Sequence, residues 1–305
     1  MDYKTYPVNM KPKLTHFLIS LIFIALFAGD LFSQCSDAGI CILGKRYEAT
    51  PEVRSSFLSL SYVLGSSGTS VFDGDEITYN SVKFGGELQV FRATRFGFSI
   101  PYSYNIGTLG TASGVGDLSI FWTYSLPIAH NNSIDFQLGA KLSTGKTNTT
   151  DSLPQSYMPG LGTNDLLISA GYETDYFGVS VGYQKPFGRS NNDVTRLKRG
   201  DDLMFRAAYF QEFNKLSVKA EVITILRLQE SSIQDPLSLT ESFITKDGSN
   251  EPQVNLLGEV SYAVSKDLVL TGNAALPLLK RDYNYDGLRR SFTFSAGVAY
   301  IFTLE

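Results

Sequence analysis

From residue 57 onward, apolar side chains fall on every second position through most of the chain. That spacing puts them on one face of a β-strand and their neighbours on the other. Val82, Phe84, Leu88 and Val90 share one side, with Lys83, Glu87 and Gln89 opposite. Leu118, Ile120, Trp122 and Tyr124 oppose Asp117, Ser119, Phe121 and Thr123, and Ile134, Phe136 and Leu138 oppose Asp135, Gln137 and Gly139. The same alternation predicts strands over 57–64, 82–90, 96–104, 118–126, 134–142, 166–172, 177–183, 203–209, 216–228, 254–262, 268–276 and 292–302. No stretch after residue 57 has the three-to-four spacing of an amphipathic helix. These are twelve strands, an even number, as a single-chain bacterial barrel requires.

The connections alternate in length. Short ones fall at 92–95, 127–132, 174–175, 212–215 and 265–267; long ones at 65–76, 105–114, 144–163, 186–201, 229–253 and 277–289. Short periplasmic turns facing longer external loops are the pattern of a membrane barrel. The reading is all-β: a transmembrane antiparallel β-barrel of 12 strands, with both termini on the periplasmic side.

A soluble β-sandwich also alternates, so charge has to decide between the two. The apolar faces carry no Lys, Arg, Asp or Glu. A Lys or Arg facing lipid at mid-depth costs about 2–4 kcal/mol. The opposite faces hold Lys83, Glu87, Asp117, Asp135, Lys141, Glu173, Arg206, Lys219, Glu221, Arg227 and Glu259, the candidate lumen residues. Their charges are of both signs, which suits either a salt-bridged interior or a polar eyelet that selects solutes. With 21 Phe and 17 Tyr, the chain has the aromatics for interfacial girdles.

Before residue 57 the pattern changes. Lys4, Lys11, Lys13 and His16 precede an apolar run over 17–28, and Ser33-Gln34-Cys35 follows. A basic segment, a short apolar segment and a cleavable stretch make a secretory signal over 1–34. A periplasmic segment over 35–56 and the barrel over 57–305 complete the expected organisation. In an oxidising compartment Cys35 and Cys41 can close a small disulfide loop, or Cys35 can be a lipidated first residue.

Composition removes several functions. A net charge of −4 argues against a broad basic surface for nucleic acid. Of the two histidines, only His130 lies beyond the leader, in a predicted periplasmic turn where it cannot serve a membrane-embedded or external serine. Asp247, Ser249 and Glu251 fall short of a calcium loop. The reading assigns no catalytic residue, no cofactor site and no metal site. The apolar residues of the long loops, Tyr157 and Met158 in one and Leu237, Leu239, Phe243 and Ile244 in another, are placed to fold inward as a plug, to catch an apolar ligand, or equally to form a short lid helix with no ligand.

Three short segments carry a resemblance. Gly114-Val115-Gly116-Asp117-Leu118, Lys141-Leu142-Ser143-Thr144-Gly145 and Gly160-Leu161-Gly162-Thr163-Asn164-Asp165 are similar, in order and spacing, to strand ends in the MetA-pathway of phenol degradation family of outer-membrane transporters. Ser143 stands where that family has proline. The resemblance implies a barrel that passes small, hydrophobic or aromatic compounds across the bacterial outer membrane, and it implies no enzyme. Gly114, Gly116, Gly145, Gly160 and Gly162 are expected to shape the loops, with Asp117 accepting hydrogen bonds from loop amides. The expected partners are outer-membrane lipid and a small solute. The alternative function is a structural or ligand-binding barrel, its lumen plugged, that partners other envelope proteins.

Overall fold

The computed structural model describes residues 56–68, 76–129, 132–238, 240–281, 283–285 and 289–304. In chain order the strands are β1 (Ser56–Gly68), β2 (Ile77–Phe91), β3 (Thr94–Gly107), β4 (Gly110–Val115), β5 (Leu118–Ala129), β6 (Asn132–Leu142), β7 (Asn164–Glu173), β8 (Phe177–Phe187), β9 (Asp202–Phe213), β10 (Leu216–Arg227), β11 (Ser232–Gln234), β12 (Phe243–Thr245), β13 (Gln253–Ala263), β14 (Leu268–Leu279) and β15 (Arg289–Phe302).

All but β11 and β12 form one antiparallel sheet. It runs β2-β1-β15-β14-β13-β10-β9-β8-β7-β6-β5-β3-β4, and β2 also pairs with β3, which closes it. Strand β3 pairs with β5 along its first half, Thr94↔Tyr124 to Ser99↔Ser119, and with β4 along its second, Tyr102↔Val115 to Gly107↔Gly110. β4 and β5 are therefore one barrel strand broken at Gly116-Asp117, and the barrel has 12 strands. Closure matters because a backbone group left without a partner in hydrocarbon costs several kcal/mol.

Two elements depart from the sequence pattern. The stretch 105–114, expected as a long loop, is instead the end of β3, a tight turn at Thr108-Leu109 and most of β4. Gly110-Thr111-Ala112-Ser113-Gly114 offers no alternation of apolar and polar side chains; its pairing rests on backbone alone. The loop over 229–253 contains the β11–β12 hairpin, whose three-residue strands are too short to show a period.

The outer face is the apolar one. Leu60, Tyr62, Phe84, Leu138, Val181, Leu270 and Tyr300 are all exposed, and Trp122 is 57% exposed. A contiguous belt of this kind far exceeds the apolar patch that a water-soluble monomer shows. The inner face holds the buried polar side chains, Ser81, Ser103, Ser119, Thr123, Ser125, Gln137 and Ser169 among them. Phe121 is an inward exception. Its ring covers Gly97, where a β-carbon would lie 2.1 Å from Phe121 Cε2, so the glycine makes room for the aromatic ring across the strand pair.

Cys35, Cys41 and His130 lie outside the described residues. The expected disulfide and the alternative lipidated Cys35 therefore fall outside them as well.

Candidate functional site in the barrel lumen

Strand parity aims a set of charged side chains inward, and the structure pairs them off. Near the long-loop end, Lys141 Nζ lies 3.3 Å from Asp117 Oδ2 and 3.2 Å from Asp165 Oδ2, all three side chains being buried. Asp165 is also bound by the Arg199 guanidinium and by Gln184 Nε2, and Thr163 Oγ1 donates to it at 2.7 Å. Asp117 further accepts from Gly145 N at 3.0 Å and Leu161 N at 2.8 Å. On the same level, Arg227 grips Asp202 through two hydrogen bonds, Nε to Oδ1 at 2.9 Å and Nη2 to Oδ2 at 3.0 Å.

A second group lines the short-turn end. Arg95 lies 3.4 Å from Glu87 and 3.6 Å from Asp135. Glu221 is paired with Arg206 and with Lys219 Nζ, the latter at 2.8 Å. Arg95, Asp135, Glu173, Arg206, Lys219 and Glu221, together with Thr123, Gln137, Ser169 and Ser180, surround a cavity with about 500 Å³ of empty space continuous with solvent. Its titratable lining balances three cations against three anions. Lys83 and Glu259 are half-buried on the inner face; Glu259 stands opposite Lys219 in the β10–β13 register.

The inner wall also carries apolar patches. Leu167, Met204, Ile223 and Ile225 form a buried apolar cluster with Leu257 packed on it. Val63, Ile77, Tyr79 and Ala112 make another, from β1, β2 and β4, and it is covered by Leu153, Tyr157 and Met158. Those last three belong to the connection between β6 and β7, which folds into the outer half of the lumen around a single 3-10 turn at Gln155–Tyr157. Tyr157 is fully buried: its carbonyl accepts from Asn105 Nδ2 at 2.9 Å and its hydroxyl from Leu109 N at 3.1 Å. Asn192, from the β8–β9 connection, donates to Thr147 O at 2.8 Å and Leu153 O at 3.0 Å and so ties the two loops together. The other loop proposed as a plug stays outside. Leu237 is 92% exposed, and Phe243 and Ile244 sit in the β11–β12 hairpin, where Arg189 stacks 3.5 Å over the Phe243 ring. Leu239 lies outside the described residues.

The loop-shaping glycines stand around Asp117. A β-carbon on Gly116 would meet Pro101 Cγ and Pro159 O at 2.7 Å; on Gly145 or Gly160 it would meet the other glycine's Cα at 2.7 Å. Gly162 has φ +69°, a left-handed conformation that favours glycine, and Gly114 has φ +155°. Ser249 accepts a hydrogen bond from Ser231 N at 2.7 Å, and the described residues contain no group of three His, Cys, Asp or Glu placed to hold a metal.

Arg95, Asp165, Arg199 and Asp202 belong to these networks and are absent from the sequence-derived set. Extending the parity of Ser169 and Glu173 back along β7 reaches Leu167 and Asp165, and extending that of Arg206 back along β9 reaches Met204 and Asp202. Arg199, in a loop, carries no such signal.

No family model and no curated protein matches the chain. Among solved structures it is similar to an outer-membrane channel from Pseudomonas putida F1, with TM-score 0.62 and 14% identity over 85% of this chain and 100% of that one. The NanC porin (TM-score 0.46, 9% identity, 80% of this chain and 98% of that one) and the CymD monoaromatic hydrocarbon channel (0.41, 10%, 90% and 95%) are more distant, too far to carry an argument. The fold is that of the bacterial outer-membrane β-barrel, with its apolar belt against lipid and a polar, ion-paired interior.

Proposed function

We propose that this barrel is a passive outer-membrane channel for small hydrophobic or aromatic compounds. One observation carries the reading: the apolar clusters on the inner wall, Val63-Ile77-Tyr79-Ala112 and Leu167-Met204-Ile223-Ile225. A porin lumen is polar and filled with water. Here the outer half offers an apolar body a wall once the covering residues Leu153, Tyr157 and Met158 are displaced, while a polar head group meets the balanced charges of the inner cavity. The resemblance of Gly114–Leu118 and its companion segments to the phenol-degradation transporters points the same way. Such passage needs only a path.

The inserted segment around Tyr157 favours a second reading, a barrel with its lumen closed that partners other envelope proteins. Solute flux separates the two. Outer-membrane vesicles with and without the protein are loaded with a radiolabelled monoaromatic acid or with a sugar of similar mass. The channel reading expects faster exchange of the aromatic compound and little change for the sugar. Equal, unassisted rates for both would favour the closed barrel, and faster sugar alone would make it a general polar pore.

A further inference from the structure

The two ends of the inserted segment meet at one carboxylate. Asp117 Oδ1 accepts from Gly145 N and Oδ2 accepts from Leu161 N, so a single side chain closes the neck of the whole excursion into the lumen. The neck is narrow. Gly160 N donates to Lys146 O at 3.0 Å, Lys146 N donates to Val115 O at 3.0 Å, and the Cα atoms of Gly145 and Gly160 face each other with no room for a methyl group. Past the neck the segment rests on the apolar inner wall through Leu153, Tyr157 and Met158.

We propose that Asp117 is the latch of a gate. Its carboxylate holds the segment from Gly145 to Leu161 in the outer lumen; when that hold is lost, the segment swings out with the β8–β9 connection to which Asn192 ties it. Departure uncovers Val63, Ile77, Tyr79 and Ala112 as the wall of the outer channel. Asp117 is a positioning residue here: it touches no solute and acts through the segment. Several features fit a latch better than a fixed strut. The carboxylate sits at the break between β4 and β5 rather than within the ladder, and the surface beneath the segment is a continuous wall of inward side chains. Asp117 is the side chain that bonds both stems, whereas Asn105 and Leu109 hold the segment farther in, at Tyr157. Lys141 Nζ, 3.3 Å away, helps hold the carboxylate in place.

The proposal rests on the channel reading, and the test separates the two. Asp117→Asn keeps the shape but removes the charge and one acceptor. Gly145→Ala leaves every charge intact and wedges the neck, since its new carbon would lie 2.8 Å from Asp117 Oδ1 and 2.7 Å from Gly160 Cα. Both full-length variants are folded into vesicles, checked for heat-modifiable gel mobility, and probed by chymotrypsin cleavage after Tyr157 and by single-channel conductance. The latch expects cleavage after Tyr157 about tenfold faster or more in both variants, as befits the loss of a charge-assisted hydrogen bond, together with higher conductance. Faster cleavage at unchanged conductance keeps the latch and counts against the channel. Folded variants in which Tyr157 stays as protected as in the native protein overturn the latch. So does failure of both variants to form a barrel, which would make Asp117 part of the wall's framework.

Discussion

The ammonium of Lys141 stands 3.2 Å from the carboxylate of Asp165, with side-chain exposures of 1% and 0%. A buried ion pair adds little net stability over an apolar pair of similar size, but removing one partner strands the other. Lys141 faces two carboxylates; its loss leaves Asp165 paired with Arg199 but takes from Asp117 the cation beside it. Lys141→Met is expected to lower the free energy of unfolding by about 3–5 kcal/mol, measured by urea titration of the vesicle-inserted protein. Lys141→Arg, which keeps the charge, should retain most of that stability.

Adjacent residues on opposite faces should respond in opposite ways. Val181 is exposed on the lipid side of β8, and Ser180 lines the inner cavity. Val181→Arg is expected to cost about 2–4 kcal/mol of folding free energy into vesicles. Ser180→Arg, facing water, should cost much less and instead narrow the cavity, seen as reduced conductance.

Charge balance in the inner cavity predicts ion preference. Arg95 is one of three cations among six titratable lining residues. Arg95→Ala leaves the cavity net negative, and the reversal potential across a KCl gradient is expected to move toward potassium selectivity. Glu173→Gln should move it toward chloride. A shift in the same direction for both would contradict the placement of these groups along the ion path.

Two glycines separate backbone strain from crowding. Gly162 and Gly188 both have left-handed φ, +69° and +76°. Nothing lies within 4 Å of a β-carbon on Gly188, whereas on Gly162 it would lie 2.7 Å from Thr147 Cγ2 and 3.1 Å from Ser190 Oγ. Gly188→Ala should cost about 1 kcal/mol from conformation alone. Gly162→Ala adds the displacement of Thr147 and Ser190 and should cost about twice that or more in the same urea titration.

Much of the wall was legible in the sequence because a barrel strand has lipid on one side. Val82, Phe84 and Leu138 alternate with polar neighbours for that reason alone, and strand order follows once the turns are short. The lumen was less legible. Inward positions accept both charge and apolar bulk, so Met204, Ile223 and Leu167 give no warning that the interior carries apolar clusters. β4 is written in small residues and glycines, whose pairing depends on the backbone. The inserted segment is fixed by contacts between residues far apart in the chain, Asp117 with Leu161 and Asn105 with Tyr157, and local pattern holds no trace of such pairings. That Asp117 accepts hydrogen bonds from loop amides was legible from its place after a Gly-x-Gly start; that those amides, of Gly145 and Leu161, are the two ends of one loop was not.

Trp122 is the chain's single tryptophan, and it stands more than half exposed in the middle of the outward face of β5, between Phe96 and Leu138 on the neighbouring strands. Its fluorescence therefore reports directly on what surrounds the barrel. In vesicles whose acyl chains carry bromine, the account predicts strong quenching of Trp122 emission, with iodide in the buffer having little effect. Emission quenched by iodide and indifferent to bromine would put that face in water, and the membrane barrel would have to be abandoned.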